Sequence, residues 1–269
     1  MVALYFAFTM KSIDDPSRYS FILFVFCSTV SVYSLLRLRT VGKIQDPMLR
    51  NLSWAADHIG LARWVMYIAM AGAIITFIFL NNKEQMIVIL LGVVWILYNT
   101  SVFSKGHIKY DLRSIWYLKP LIVGFIITGI VTWVPYQDAC PYSLSTFLFI
   151  ATILFCFVSA LVVVFEIKDR AIDSRFNTDT ITTRLGVAHT KIIAISLLAI
   201  AIVLVLLSHP TLSMTSNFSY ILPLLVLIAF IYFFIHEKTN EYIYWIVIDG
   251  WMVILGIIWY ILNHHIFYL

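Results

Sequence analysis

Leu144-Ser-Thr-Phe-Leu-Phe-Ile-Ala-Thr-Ile-Leu-Phe-Cys-Phe-Val-Ser-Ala-Leu-Val-Val-Val-Phe165 runs for twenty-two residues without a charge, and Glu166-Ile-Lys-Asp-Arg-Ala-Ile-Asp173 follows it directly. A helix needs about 20 apolar residues to cross the hydrocarbon of a bilayer. The first stretch therefore predicts a membrane-spanning helix, and the abrupt onset of charge marks a membrane boundary. The same reading outward gives Tyr19–Leu36, Leu61–Leu80, Met86–Phe103 and Leu118–Val134 before it, and Thr190–Ser208, Tyr220–Ile235 and Tyr242–Leu262 after it. Met1–Met10 is apolar but about half the length a span requires. It lacks the basic start and small-residue cleavage site of a signal peptide, and is expected to be the end of a first helix within which the chain begins. The fold expected is all-α, a polytopic membrane bundle of about nine transmembrane helices, the first short or truncated, forming one domain over residues 1–269.

Composition agrees. Hydrophobic residues make up 62% of the 269 and charged ones 12%, with a mean hydropathy of +0.94; a soluble domain carries about 25% charged residues. Intrinsic disorder, collagen and secreted disulfide scaffolds are excluded, the last because Cys27, Cys140 and Cys156 have no pairing or metal spacing. A net charge of +4 on so apolar a chain is explained by membrane topology rather than by nucleic acid. Counting Met1–Met10 as the first span, the connections after spans two, four, six and eight hold every Lys and Arg except Lys11, Arg18 and Lys83. By the positive-inside rule these even-numbered loops are cytoplasmic. The two longest, residues 37–60 and 166–189, lie on that side, where whatever the protein handles is expected to be met.

The densest acidic group is Glu166, Asp169 and Asp173. If the sixth span continues through it, Asp169 and Asp173 are four apart on one helical face with Glu166 three before. Clustered carboxylates suit a hard divalent cation such as Mg²⁺, which takes oxygen ligands and keeps positions open for phosphates. They equally suit a solvated helix end whose acids pair with Lys168, Arg170 and Arg175. Arg170, Arg175, Arg184 and Lys191 follow, fit for a metal-bridged diphosphate or simply for setting topology. Asp249 falls inside the last span, where a carboxylate is costly and faces a bundle interior or a cavity, as a functional or a structural group. Tyr98 and Asn99 end the fourth span on the cytoplasmic side, as lining of a polar mouth or as an interfacial belt. His264 and His265 are adjacent, hence about 100° apart on a helix, and make a poor shared metal site.

Glu166-Ile-Lys-Asp-Arg-Ala-Ile-Asp173, followed by Asp179-Thr-Ile-Thr-Thr-Arg-Leu-Gly186, resembles the second aspartate-rich motif of the UbiA superfamily of intramembrane prenyltransferases. Leu97-Tyr98-Asn99, Leu112-Arg113 and Leu118-Lys119-Pro120 are similar to that family's connection between the fourth and fifth helices, and Ile248-Asp249-Gly250 to its ninth helix in bacterial members. The resemblance implies a multi-pass protein of a bacterial inner membrane. Its activity would be transfer of a polyprenyl group from its diphosphate to an aromatic or other lipid-precursor acceptor at the cytoplasmic face, with Mg²⁺ as cofactor. It further implies that Asp169 and Asp173 are catalytic metal–diphosphate ligands, with Glu166 in the place of the motif's first aspartate. Lys119, Arg175 and Arg37 are expected on the diphosphate, and Tyr98, Asn99 and Asp249 around the pocket.

The family's first acidic motif has no counterpart. Its place reads Val32-Tyr-Ser-Leu-Leu-Arg-Leu-Arg39, and no carboxylate occurs between Tyr19 and Asp46. Arg37 and Arg39 then either hold diphosphate directly or anchor the inner boundary. A second expectation therefore stands beside the first: a non-catalytic membrane protein of the same fold that binds an isoprenoid lipid or a protein partner.

Overall fold

A computed structural model of the chain describes residues 16–41, 58–99, 103–105, 108–110, 112, 115–133, 144–175, 178–207, 214–237 and 239–266. The expected first helix, Met1–Met10, lies outside them. The described chain is helical apart from one short hairpin. In order it comprises α1 (Pro16–Val41), α2 (Ile59–Ile78), α3 (Asn82–Asn99), β1 (Phe103–Lys105), β2 (Ile108–Tyr110) and α4 (Leu118–Thr128). Next come α5 (Leu144–Arg175), α6 (Ile181–Leu207), α7 (Met214–Phe234), α8 (Glu241–Ile243) and α9 (Gly250–Ile266). The strands pair antiparallel with Ser104 opposite Lys109.

Four helical stretches are long and apolar enough to cross a membrane: Tyr19–Leu36, Ile59–Ile78, Phe147–Ala171 and Ile181–Leu207. Leu118–Trp133, Ile221–Phe234 and Ile246–Ile258 are apolar but shorter. α3 begins Asn-Lys-Glu-Gln, and those polar residues use up its first turn. Many large apolar side chains on these helices point outward, among them Trp64, Ile78, Ile192 and Leu207. That is the arrangement of helices solvated by lipid rather than by water.

Contacts divide the chain into two units, residues 12–85 and 86–269. In the first, α1 packs on α2, with Phe24 and Phe77 rings 6.0 Å apart. This unit ends on a reciprocal cap that starts α3. The Asn81 N–H donates to Glu84 Oε2 and the Glu84 N–H donates to Asn81 Oδ1, both at 2.9 Å. The cap fixes two of the helix's orphan donors, which explains why the Glu84 carboxylate is almost wholly buried.

In the second unit α5 is the central element, packed by α4 and α6, while α6 meets α7 and α7 meets α9. Its buried face carries Phe157, Ala160, Leu161, Val164 and Ile167, against Ala194, Leu198 and Ala201 of α6 and Leu227 and Ile231 of α7. Between apolar helices in lipid there is little hydrophobic driving force, so close approach at small residues matters most. Gly124 of α4 supplies one such approach, and the Ser159 hydroxyl of α5 donates across it to the Pro120 carbonyl at 3.3 Å.

The structure differs from the sequence reading between spans six and seven. Residues 166–189, expected as a long loop, are mostly helix. α5 continues through Glu166–Arg175, α6 starts at Ile181, and only residues 176–180 connect them. Glu, Lys, Arg and Ala are strong helix formers, and long basic side chains can bury their stems while their heads reach water. The onset of charge therefore does not mark the end of the helix. Gly186, at φ 79° and ψ 169°, breaks α6 one turn after it begins.

A Cβ on Gly124 would fall on Ser159 Oγ while lying 3.4 Å from Ser159 Cβ. Gly124→Ala should therefore destabilise the protein by about 1–3 kcal/mol. Adding Ser159→Ala should recover most of the loss, read as thermal stability in detergent.

Candidate functional site

The charged end of α5 sets out its three carboxylates differently. Asp169 lies between two ammonium groups, with Oδ2 4.0 Å from Lys119 Nζ and Oδ1 3.9 Å from Lys168 Nζ. Lys119 comes from the first turn of α4, so this contact joins two helices that α4–α5 packing holds together. Lys168 also sits 5.7 Å above the Phe165 ring. The Asp169 carboxylate is about a third exposed, at 36%. Loose pairs of this kind contribute at most about 1 kcal/mol each, so they are readily exchanged for a better partner.

Glu166 is wholly buried. Its Oε2 accepts the N–H of Ile181, the first residue of α6, at 3.0 Å. Its Oε1 is buried with no hydrogen-bond partner, and so is Thr182 Oγ1. Other donors at the α6 start are met locally. The Thr180 N–H donates to Thr183 Oγ1 at 2.8 Å, the Thr183 N–H donates back to Thr180 Oγ1 at 3.3 Å, and the Arg184 N–H reaches the Thr180 carbonyl. Past the break, the Thr190 hydroxyl donates to the Gly186 carbonyl at 2.8 Å.

Asp173 is partly buried, one turn beyond Asp169 on the same helix. Cβ atoms four apart on a helix are about 5–6 Å apart, close enough for two carboxylates to share a cation. Among the described residues no three His, Cys, Asp or Glu side chains converge as a metal site. Mg²⁺ does not need such a cage, because it is usually held by one or two carboxylates together with substrate phosphates. Asp169 and Asp173 fit that shared mode, whereas Glu166 already has one oxygen on the α6 backbone.

The other expected residues fall out as follows. Tyr98 is buried at the end of α3, and the Asn99 side-chain amide donates to the Trp95 carbonyl of its own helix at 2.9 Å. Arg37 belongs to α1 in the unit 12–85, Arg175 closes α5, and Asp249 ends a π-helical segment, Tyr244–Asp249; the side chains of all three lie outside the described set. The pairing of Lys168 with this acidic group was one of the two readings of the sequence, and the structure brings Lys168 to Asp169. Missed by the sequence reading were the end of α7 and the segment after it, where Glu237 pairs with Arg170 at 2.5 Å and Lys191 reaches the Tyr232 carbonyl at 3.2 Å and His236 Nδ1 at 3.4 Å. Those partners are more than forty residues apart and carry no local signal. The Thr180/Thr183 cap did carry one, a Thr-x-x-Thr spacing ahead of an apolar run.

Comparison of the chain with known protein families, curated proteins and solved structures finds no match.

Asp179, exposed ahead of α6, accepts a hydrogen bond from Arg184 at 2.7 Å, and this contact holds its carboxyl below the usual carboxylate range. A lowered folded-state pKa contributes stability above the unfolded value, and that stability is lost as pH falls through the folded value. Arg184→Gln should therefore lower thermal stability slightly at neutral pH. Titration down through about pH 4, the ordinary aspartate range, should bring the two proteins together.

Proposed function

We propose that the chain is a nine-helix, UbiA-like prenyltransferase of a bacterial inner membrane. It would take a polyprenyl diphosphate at the cytoplasmic end of α4 and α5 and pass the prenyl group to an aromatic or other lipid-precursor acceptor. One observation carries this reading. Lys119 and Asp169, which the resemblance puts on diphosphate and metal, are fifty positions apart in sequence and meet at 4.0 Å.

The roles are those that the resemblance implies. Asp169 and Asp173 would hold Mg²⁺ jointly with the diphosphate. When bound, the metal would draw negative charge off the departing diphosphate and make it a better leaving group. Lys119 already stands at Asp169 and can turn its ammonium to a phosphate oxygen, because the pair it leaves is weak. The leaving diphosphate keeps the electron pair of the broken C–O bond, and the acceptor atom that bonds to the prenyl carbon gives up its proton. Apolar side chains of α5, α6 and α7 would house the isoprenoid and keep water from the electron-poor prenyl carbon. Arg175 would supply a further diphosphate contact, and Tyr98, Asn99 and Asp249 the pocket walls.

A second reading, a non-catalytic protein that binds an isoprenoid lipid or a partner, is favoured by a different observation. The chain has one acidic cluster where transfer in the UbiA superfamily uses two, and one member of that cluster, Glu166, is engaged with backbone.

Titration of a labelled polyprenyl diphosphate into nanodisc-embedded protein, with and without Mg²⁺, tests the proposal. Asp169→Asn should weaken Mg²⁺-dependent binding by at least about tenfold, the equivalent of one lost charge-assisted contact, while the protein stays folded. Binding indifferent to metal and to the substitution would remove the transferase reading and leave the second.

A further inference from the structure

We infer that Glu166 is a positioning residue: its buried carboxylate fastens the start of α6 to α5 and so sets the connection that follows the Asp169–Asp173 face, and it is not itself a metal ligand. The inference deepens the transferase reading and rests on it for the meaning of "metal ligand", but its structural half stands without it.

Two features carry it. The first is geometry. One oxygen of Glu166 is 3.0 Å from the Ile181 N–H, fifteen residues on, and the side chain has no solvent exposure. The first backbone N–H groups of a helix have no partner inside the helix, and a carboxylate there meets both the missing bond and the positive end of the helix. The second is that the local cap cannot take over this bond. Thr180 and Thr183 bind each other's N–H groups, which leaves the Ile181 N–H to Glu166 alone among the hydrogen bonds described.

The consequence is mechanical. Only residues 176–180 link α5 to α6, and Gly186 interrupts α6 five residues after it starts. The turn Ile181–Leu185 therefore lies between a short connection and a break, with Glu166 as its tie to the helix that carries Asp169 and Asp173. Glu reaches the α6 backbone where the one-methylene-shorter Asp, on the same α5 position, falls short. This gives the Glu at the head of the cluster a physical purpose.

A glutamine separates the two roles, since its carbonyl oxygen can accept the Ile181 N–H but its neutral amide is a poor Mg²⁺ ligand. Three variants, Glu166→Gln, Glu166→Ala and Asp169→Asn, are put in nanodiscs. Each is read by hydrogen exchange of the segment 178–186 and by Mg²⁺-dependent binding of a labelled polyprenyl diphosphate. Glu166→Gln should keep both the protection of the segment and the binding within about twofold of wild type. Glu166→Ala should speed exchange of the Ile181 and Thr182 amides roughly tenfold, as loss of a buried cap does. Loss of Mg²⁺-dependent binding in Glu166→Gln as complete as in Asp169→Asn would overturn the inference, as would unchanged exchange in Glu166→Ala. Retained binding in Asp169→Asn would instead remove the transferase reading, and the exchange result would still decide the tie.

Discussion

The buried bond between Glu166 and the Ile181 N–H is the constraint on which the polar end of the second unit depends. A carboxylate without solvent exposure is expensive unless its charge meets fixed donors. Here the donor is the start of the next helix, so the arrangement exists only if α5 and α6 lie side by side. Asp169 can then face outward to Lys119 and Lys168, because the nearest acid on its helix has been turned toward backbone. Of the neighbouring acids, Glu166 is turned to a helix end and Asp169 to two ammonium groups.

The packing around this end follows the rules of lipid-solvated helices. Small residues permit close approach at Gly124 and Ser159, while threonine and serine hydroxyls return to carbonyls of their own helices at Thr29, Thr76, Thr132 and Thr190. Such bonds satisfy the hydroxyl where water is absent, and they leave the helix surface apolar. Among the described residues, polar bonds between helices include Ser159 to the Pro120 carbonyl, the Trp251 indole N–H to the Pro223 carbonyl at 3.1 Å and Lys191 to the Tyr232 carbonyl.

The helical class was legible because uncharged runs of about twenty residues admit few other structures. Tyr19–Leu36 reappears as a span with the same limits, and the starts of the Leu118 and Leu144 helices coincide with the reading. The ends were less legible wherever charge and helix overlap. Hydropathy falls at Glu166, but the backbone continues to Arg175 because helix propensity there is high. Within the site, spacing alone could put Asp169 and Asp173 on one face; it could not say that Glu166 would turn to Ile181, since a four-residue period describes one helix and not its neighbour.

The π-helical turns at Gly129–Trp133 and Tyr244–Asp249 bear on how such a chain can be read at all. Each takes one more residue per hydrogen-bonded turn than an α-helix, and at Tyr244–Asp249 this rotates the helix that follows by about 100° relative to the residues before. An apolar stripe tracked by a constant 3.6-residue step runs off its face at these two places. A chain with the same helices but without the bulges would match this one only with a single-residue gap at each. Phase along the last helices is therefore carried by the backbone's local irregularity and not by the spacing of the side chains.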